Sequence, residues 1–219
     1  NLKGKLDQVV NPETSGTAVG LKNFIIEGFC KSGIDFSETE VFLWGESEDI
    51  DEAVKTAVVA RLINNGQSCI AAKRFIVVEK IYDEFEKKFV EAMGKVKIGD
   101  PMNSETELGP IAREDLLNEL DRQVKQSVAK GAVVLCGGKR IEQEGYFYEP
   151  TILTNLKIGM PAYEEEIFGP IAGLIKVKNE KEAIQVANNS DFGLGASLWT
   201  NNTSKAKEIA NRIESGSVF

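Results

Sequence analysis

The sequence predicts an α/β fold, a mostly parallel β-sheet flanked by helices. Two patterns predict it. Segments with apolar residues at helical spacing alternate with short, continuous apolar runs, and strands covered on both faces read as such runs rather than as an alternation. The 219 residues, 42% of them hydrophobic, suit one large domain or two small ones with a sizeable core.

The elements follow in order. The first fifty residues differ in character from the rest. Ala18 to Cys30 reads as a helix with Leu21, Phe24 and Ile25 inward, and Val41 to Trp44 as a strand. The change at Glu46 to Asp51 marks a domain junction. Val54, Ala57, Val58 and Leu62 then recur at helical spacing, which predicts a helix over about residues 51–63. Asp49 and Asp51 lie near its start, where acids suit the helix dipole. A strand-like run, Arg74 to Glu79, follows. Tyr82, Phe85, Phe89, Met93 and Val96 predict a strongly amphipathic helix. Leu117, Leu120, Val124 and Val128 mark a third, with Gly131 as its stop. Residues 132–135, Ala-Val-Val-Leu, read as a buried strand. Ile171 to Val177 and Gly195 to Trp199 are further strands. Helices are expected over Glu180 to Asn188 and Ser204 to Ile213, the latter with Ala206, Ile209, Ala210 and Ile213 on one face. Ser217 to Phe219 begins a last strand. Gly99 to Pro110 is a loop, and Gly137 to Pro150 a hairpin or surface excursion.

A net charge of −8 with no basic cluster argues against nucleic acid and anionic membrane surfaces as partners. No apolar run reaches the roughly eighteen residues a membrane span needs, and no secretory signal pattern opens the chain. Three widely spaced cysteines, Cys30, Cys69 and Cys136, form neither a disulfide framework nor a metal site. A reducing cytoplasm is the expected compartment. The chain begins Asn1-Leu2 and stops in a strand-like run, which suggests a fragment.

Asn64-Asn65-Gly66-Gln67-Ser68-Cys69 puts a cysteine on a polar, glycine-containing turn between a helix and a strand. The chain has no histidine, so no Cys–His or Ser–His pair exists. A nucleophilic thiol here would need backbone dipoles or a carboxylate base to ionise it. Backbone N–H groups, with Asn and Gln beside them, suit a thiolate or an oxyanion. The residues fit equally a small buried hydrophobe beside an Asn-Gly turn. Tyr163 to Pro170 carries three acids, an apolar pair and Gly-Pro. It suits a carboxylate on ribose hydroxyls with Phe168 against a flat ring, or a solvated acidic turn. Cys30 and Cys136 sit in apolar patterns and read as packing residues.

Taken together, these strings resemble the aldehyde dehydrogenase superfamily. Asn64 to Cys69 is similar to its nucleophile motif and Glu165-Glu166-Ile167-Phe168-Gly169-Pro170 to its second signature. Ile98-Gly99-Asp100-Pro101, Leu108-Gly109-Pro110, Gly145 to Leu153 and Asp191 to Trp199 resemble connecting segments. The resemblance covers about Glu48 to Phe219. The wording from Gly66 to Phe75 is most similar to bacterial and archaeal succinate-semialdehyde dehydrogenases. The resemblance implies that Cys69 attacks an aldehyde, succinate semialdehyde by its nearest wording, to give a thiohemiacetal and then a thioester. Hydride passes to NAD or NADP, Glu166 holds the nicotinamide ribose with Phe168 beside it, and the backbone N–H of Cys69 forms half of the oxyanion site. It implies a homo-oligomer, dimer or tetramer, working on a small aldehyde. No metal is implied.

The departures matter too. The family's Glu-Leu-Gly-Gly motif, which supplies the general base, is absent from this chain. The nearest text, Val41-Phe42-Leu43-Trp44-Gly45, has Leu43 where the glutamate would stand. Alternatively, Val10-Asn11-Pro12-Glu13 resembles the family's cofactor strand, with Asn11 for its lysine, and Gly20 to Gly33 the helix after it. Residues 1–48 are therefore expected to be a remnant of a dinucleotide-binding domain and 49–219 the catalytic domain. Turnover by this chain is expected to be impaired. Two rival expectations are a nucleotide-independent thiol esterase or acyl-transfer activity, and a non-catalytic assembly domain.

Overall fold

In a computed structural model of the chain, residues 39–43 and 50–219 are described. The helix expected over Ala18 to Cys30 and the candidate strand at Val10 to Glu13 lie outside them. The elements are β1 (Thr39–Leu43), α1 (Ile50–Leu62), a 3₁₀ turn (Ile63–Gly66), β2 (Ala72–Val78), α2 (Glu79–Gly94) and α3 (Glu114–Ala129). They continue with β3 (Val133–Cys136), β4 (Thr151–Thr154), α4 (Pro161–Glu164), β5 (Ile171–Val177), α5 (Glu180–Asn188), β6 (Gly195–Trp199) and α6 (Thr203–Ala210).

The six strands form one sheet in the order β3-β4-β5-β2-β1-β6. All neighbours are parallel except β3 and β4. The expected α/β architecture with a mostly parallel, helix-flanked sheet is therefore present. β1 precedes the expected 48/49 junction in sequence, yet it is hydrogen-bonded between β2 and β6. The compact unit containing the sheet runs Phe36–Phe219.

β2 is buried along its whole length, as a central parallel strand requires. Its side chains alternate between two cores. Phe75 and Val77 meet α1 and α2, whereas Ile76 and Val78 meet α3 and α5. In α2 the inward row is Tyr82, Phe85, Phe89 and Met93, as its spacing predicts. Phe89 stacks obliquely on Phe75 and Phe85, with ring centroids 5.0 and 5.3 Å apart.

Three expectations are corrected. The run over 132–135 is an edge strand, Val133–Cys136, not a buried one: Val133 is 48% exposed and Val134 37%. Among the described residues only β4 pairs with it, antiparallel through the expected 137–150 hairpin, which leaves β3 at the end of the strand order. Val128 is exposed rather than inward, and Ser127 takes the buried place. Ser127 Oγ bonds Gln123 O at 2.7 Å and accepts the Ala162 N–H at 2.9 Å, which satisfies a buried amide at the start of α4. The last helix stops at Ala210, short of Ile213, and Asn202 caps its start by accepting from Lys205 N–H.

Gly131 stops α3 with φ +103°, as expected. Ser217 to Phe219 pairs parallel to β6 through Ala196 and Leu198. β4 and α4 are elements that periodicity alone does not reveal, each being four residues long.

Candidate active site

The stretch after α1 is built from three successive left-handed residues. Asn64, Asn65 and Gly66 have φ of 50°, 57° and 74°. Most L-residues resist this region; Asn tolerates it and Gly is at ease there. The Asn-Asn-Gly wording is thus what this backbone needs. The Ala71 N–H then closes on Ser68 O at 2.9 Å. Cys69 lies in that second turn, half-buried, directly ahead of β2.

The amides beside Cys69 are engaged in building the turn and its supports. Asn64 donates to Gln67 O at 2.8 Å. The Asn65 side chain accepts from Gly109 N–H at 2.9 Å and donates to Pro110 O at 3.2 Å. Gln67 Oε1 accepts from Ala112 N–H at 2.9 Å. The Leu108-Gly109-Pro110 segment is therefore the turn's buttress.

Gly66 touches the second signature directly. A Cβ at Gly66 would lie 2.1 Å from Gly169 O and 3.0 Å from Pro170 N. No other residue fits there. Gly169 is in turn pressed on α3, where a Cβ would come 2.3 Å from a Leu120 methyl.

The acidic string is held from three sides. The Glu165 carboxylate accepts from Arg122 and, at 3.1 Å, from Gln123 Nε2. The same Gln123 nitrogen donates to Glu166 O at 2.8 Å. Lys73 Nζ donates to Glu165 O at 2.7 Å. Glu166 and Phe168 are half-buried, while Ile167 between them is a core residue. Glu165 to Pro170 is thus no freely solvated turn.

Topology explains why these pieces meet. Cys69 stands just ahead of β2, with Ile70 and Ala71 between, and Glu166 to Pro170 immediately precede β5. The two strands are adjacent and parallel, with Arg74 opposite Gly173. Their entry segments must share the amino edge of the sheet. Gly145 to Pro150 enters β4 at the same edge, and Thr151 N–H bonds Pro170 O at 2.8 Å.

The same register corrects the alignment of Leu43 with the base. Leu43 ends β1 opposite Val77 and Trp199, at the far edge from Cys69. Lys73 and Arg74 also have buried structural bonds. Arg74 donates to Ala187 O at 2.9 Å and Asn189 O at 3.0 Å, at the carboxyl end of α5.

Two sets of residues escape a motif reading. Arg61 donates to Gly66 O at 2.9 Å and Ile171 O at 3.4 Å. Gln123 and Arg122 hold the acidic string from α3. The signal for Arg61 was a charge four residues after Ala57, on the apolar stripe of α1.

Cys136 differs from Cys69. It sits 3.8 Å from Pro150 O, and burial pushes its thiol above the ordinary range. Neither Cys69 nor Cys136 is in a disulfide. Among the described residues no cluster of His, Cys, Asp or Glu could hold a metal ion, and no helix is long and apolar enough to cross a membrane.

Residues 41–219 match the aldehyde dehydrogenase family. The chain belongs to that family. It is 47% identical over 186 residues to the NADP(+) succinate-semialdehyde dehydrogenase of Mycobacterium avium (strain 104), covering 85% of this chain and 39% of that protein. The succinic semialdehyde dehydrogenase of Streptococcus pyogenes, solved with NADP+ as the cofactor, superposes with a TM-score of 0.79 and 36% identity over 85% of this chain and 40% of the other. The Burkholderia pseudomallei succinate-semialdehyde dehydrogenase gives 0.80 and 32%, over 91% and 42%. The chain thus spans about two-fifths of the length of these aldehyde dehydrogenases.

Proposed function

We propose that Cys69 is the nucleophile of an NAD(P)-dependent aldehyde oxidation, with succinate semialdehyde as substrate. One observation carries the reading. The thiol turn and the Glu165 to Pro170 loop are packed backbone to backbone, Gly66 on Gly169 and Pro170, at one edge of the sheet. A nucleophile and a cofactor-holding carboxylate need such fixed proximity. The names of the mycobacterial relatives and the S. pyogenes complex support NADP over NAD.

In this reading the Cys69 thiolate attacks the aldehyde carbon and forms a C–S bond. The carbonyl electron pair moves to oxygen, where the Cys69 backbone N–H is one of the stabilising donors. The residues present suit a nicotinamide cofactor: a half-buried carboxylate, Glu166, and a half-buried ring, Phe168, stand on a loop immobilised by Arg122, Gln123 and Lys73. Glu166 would hold the ribose hydroxyls and Phe168 would lie beside the ring. When bound, the cofactor supplies the hydride acceptor. Water then releases the carboxylic acid from the thioester and returns the thiol.

The further assignments belong to the same proposal. Because β1 lies between β2 and β6, the catalytic part takes in Thr39 onward, and the remnant of a dinucleotide-binding domain expected over 1–48 is confined to the residues before it, in a cytoplasmic homo-oligomer. Because the Glu-Leu-Gly-Gly base motif is missing from the sequence, the 219-residue chain acylates at Cys69 but turns over poorly.

The test is NAD(P)H formation by this chain with succinic semialdehyde and short aliphatic aldehydes, with peptide mapping of an activated-ester adduct. Slow turnover with acylation confined to Cys69, lost in Cys69→Ser, is expected. Rapid turnover overturns the impairment, and acylation that persists in Cys69→Ser overturns the nucleophile.

A further inference from the structure

We propose that Arg61 is a positioning residue for Cys69: its guanidinium ties the nucleophile turn to the strand that directly follows the second signature. The inference rests on Cys69 being the nucleophile. Arg61 is only 1% exposed, at the last turn of α1. One arm of its fork donates to Gly66 O at 2.9 Å and the other to Ile171 O at 3.4 Å. Gly66 opens the thiol turn and Ile171 follows Pro170. Arg61 therefore spans the seam where Gly66 is pressed on Gly169 and Pro170.

The seam needs such a tie. Gly66 is left-handed and its carbonyl is turned out of the helical hydrogen-bond pattern of α1. Van der Waals contact sets how close the two backbones come, but not how they slide. Two directional bonds from one rigid, planar group fix the sliding coordinate. A lysine keeps the charge but has no planar fork to reach both carbonyls at once. The other supports of the turn, Asn65 and Gln67, reach only the 108–112 segment. Arg61 thus links the thiol turn by a side chain to β5.

A positioning role makes Cys69 reactivity depend on Arg61 beyond any loss of stability. Iodoacetamide alkylation of the intact 219-residue chain, read by peptide mapping, tests it without cofactor or aldehyde. Cys136 is the internal control, since it lies on β3, away from the turn. In the unsubstituted chain Cys69 is expected to react faster than Cys136. Arg61→Lys is expected to slow Cys69 about tenfold at fixed pH, with Cys136 unchanged. Arg61→Gln should slow it at least as much; if that variant fails to fold, the lysine variant carries the test alone. Unchanged Cys69 in Arg61→Lys overturns the inference while leaving the nucleophile reading intact. Equal acceleration of both thiols also overturns it, because that marks general loosening. A Cys69 no faster than Cys136 in the unsubstituted chain sinks both readings.

Discussion

Gly66 does two jobs that no other residue combines. Its φ of 74° suits only a residue without strain there, and its missing Cβ leaves room for Gly169 O. Gly66→Ala is expected to lose about 2–4 kcal/mol, from strain plus a backbone clash that no rotamer relieves. Urea unfolding checks this, and a loss under about 1 kcal/mol contradicts the packing. Tyr148 shows the opposite economy. Its hydroxyl is buried and finds no partner among the described residues. Tyr148→Phe is expected to be neutral or slightly stabilising at pH 8. Burial, then the Asp121 charge, pushes the Tyr148 phenol well above the ordinary tyrosine range, and burial does the same to Tyr82. The stability this reflects is complete below about pH 10, the unfolded value. It falls as pH climbs from there towards the raised folded values, because the unfolded chain gives up its proton first. Between pH 8 and 11 the unsubstituted chain should lose about 1 kcal/mol more than Tyr148→Phe does. Equal losses in a denaturant titration argue against it.

At the scale of elements, the helix caps and the α3 platform offer separate tests. Asn179 caps α5 by accepting from Glu182 N–H at 3.1 Å. Asn179→Ala is expected to lower stability by about 1 kcal/mol without touching Cys69 reactivity. Ser127→Ala leaves the Ala162 N–H buried and unsatisfied, so a loss of about 1–3 kcal/mol is expected. A thermal melt measures both, and an unchanged Ser127→Ala rules out that bond's importance. Elements whose signals are local were legible in the sequence. α5 and β6 have the bounds that apolar spacing indicates, and α2 shows its four aromatic and methionine positions inward. The edge position of β3 is not legible, because an apolar run does not say whether a strand has neighbours on both sides. Val128 and Ser127 were exchanged because a hydroxyl is buried only when something distant, here Ala162, needs it.

For the whole molecule, the parallel sheet assembles the site. Three segments far apart in sequence enter neighbouring strands at one edge, and so they share one end of the sheet. Cys69, Glu166 and Phe168 are readable as motifs; that their two segments pack together, Gly66 on Gly169 and Pro170, follows from strand order, which motifs do not contain. Arg61 and Gln123 were not readable as site residues, since their partners are backbone carbonyls and a carboxylate on other elements. The sheet also bears on how the protein ages. Asn65-Gly66 is a pair in which the following backbone nitrogen can attack the asparagine side-chain carbonyl, expel ammonia to close a succinimide, and open with water to aspartate or isoaspartate. Here the side-chain amide is fastened at both ends, to Gly109 and Pro110. Folding thus acts as a preservative for the thiol turn. The folded chain, incubated at mildly alkaline pH, is expected to keep a neutral residue 65, whereas urea-unfolded chain accumulates a more acidic isoform at that peptide. Aspartate formation at the same rate in both states would mean the buttress gives no protection. Once formed, an aspartate could no longer donate to Pro110, so chemical damage to an unfolded molecule would be carried into every later attempt to refold.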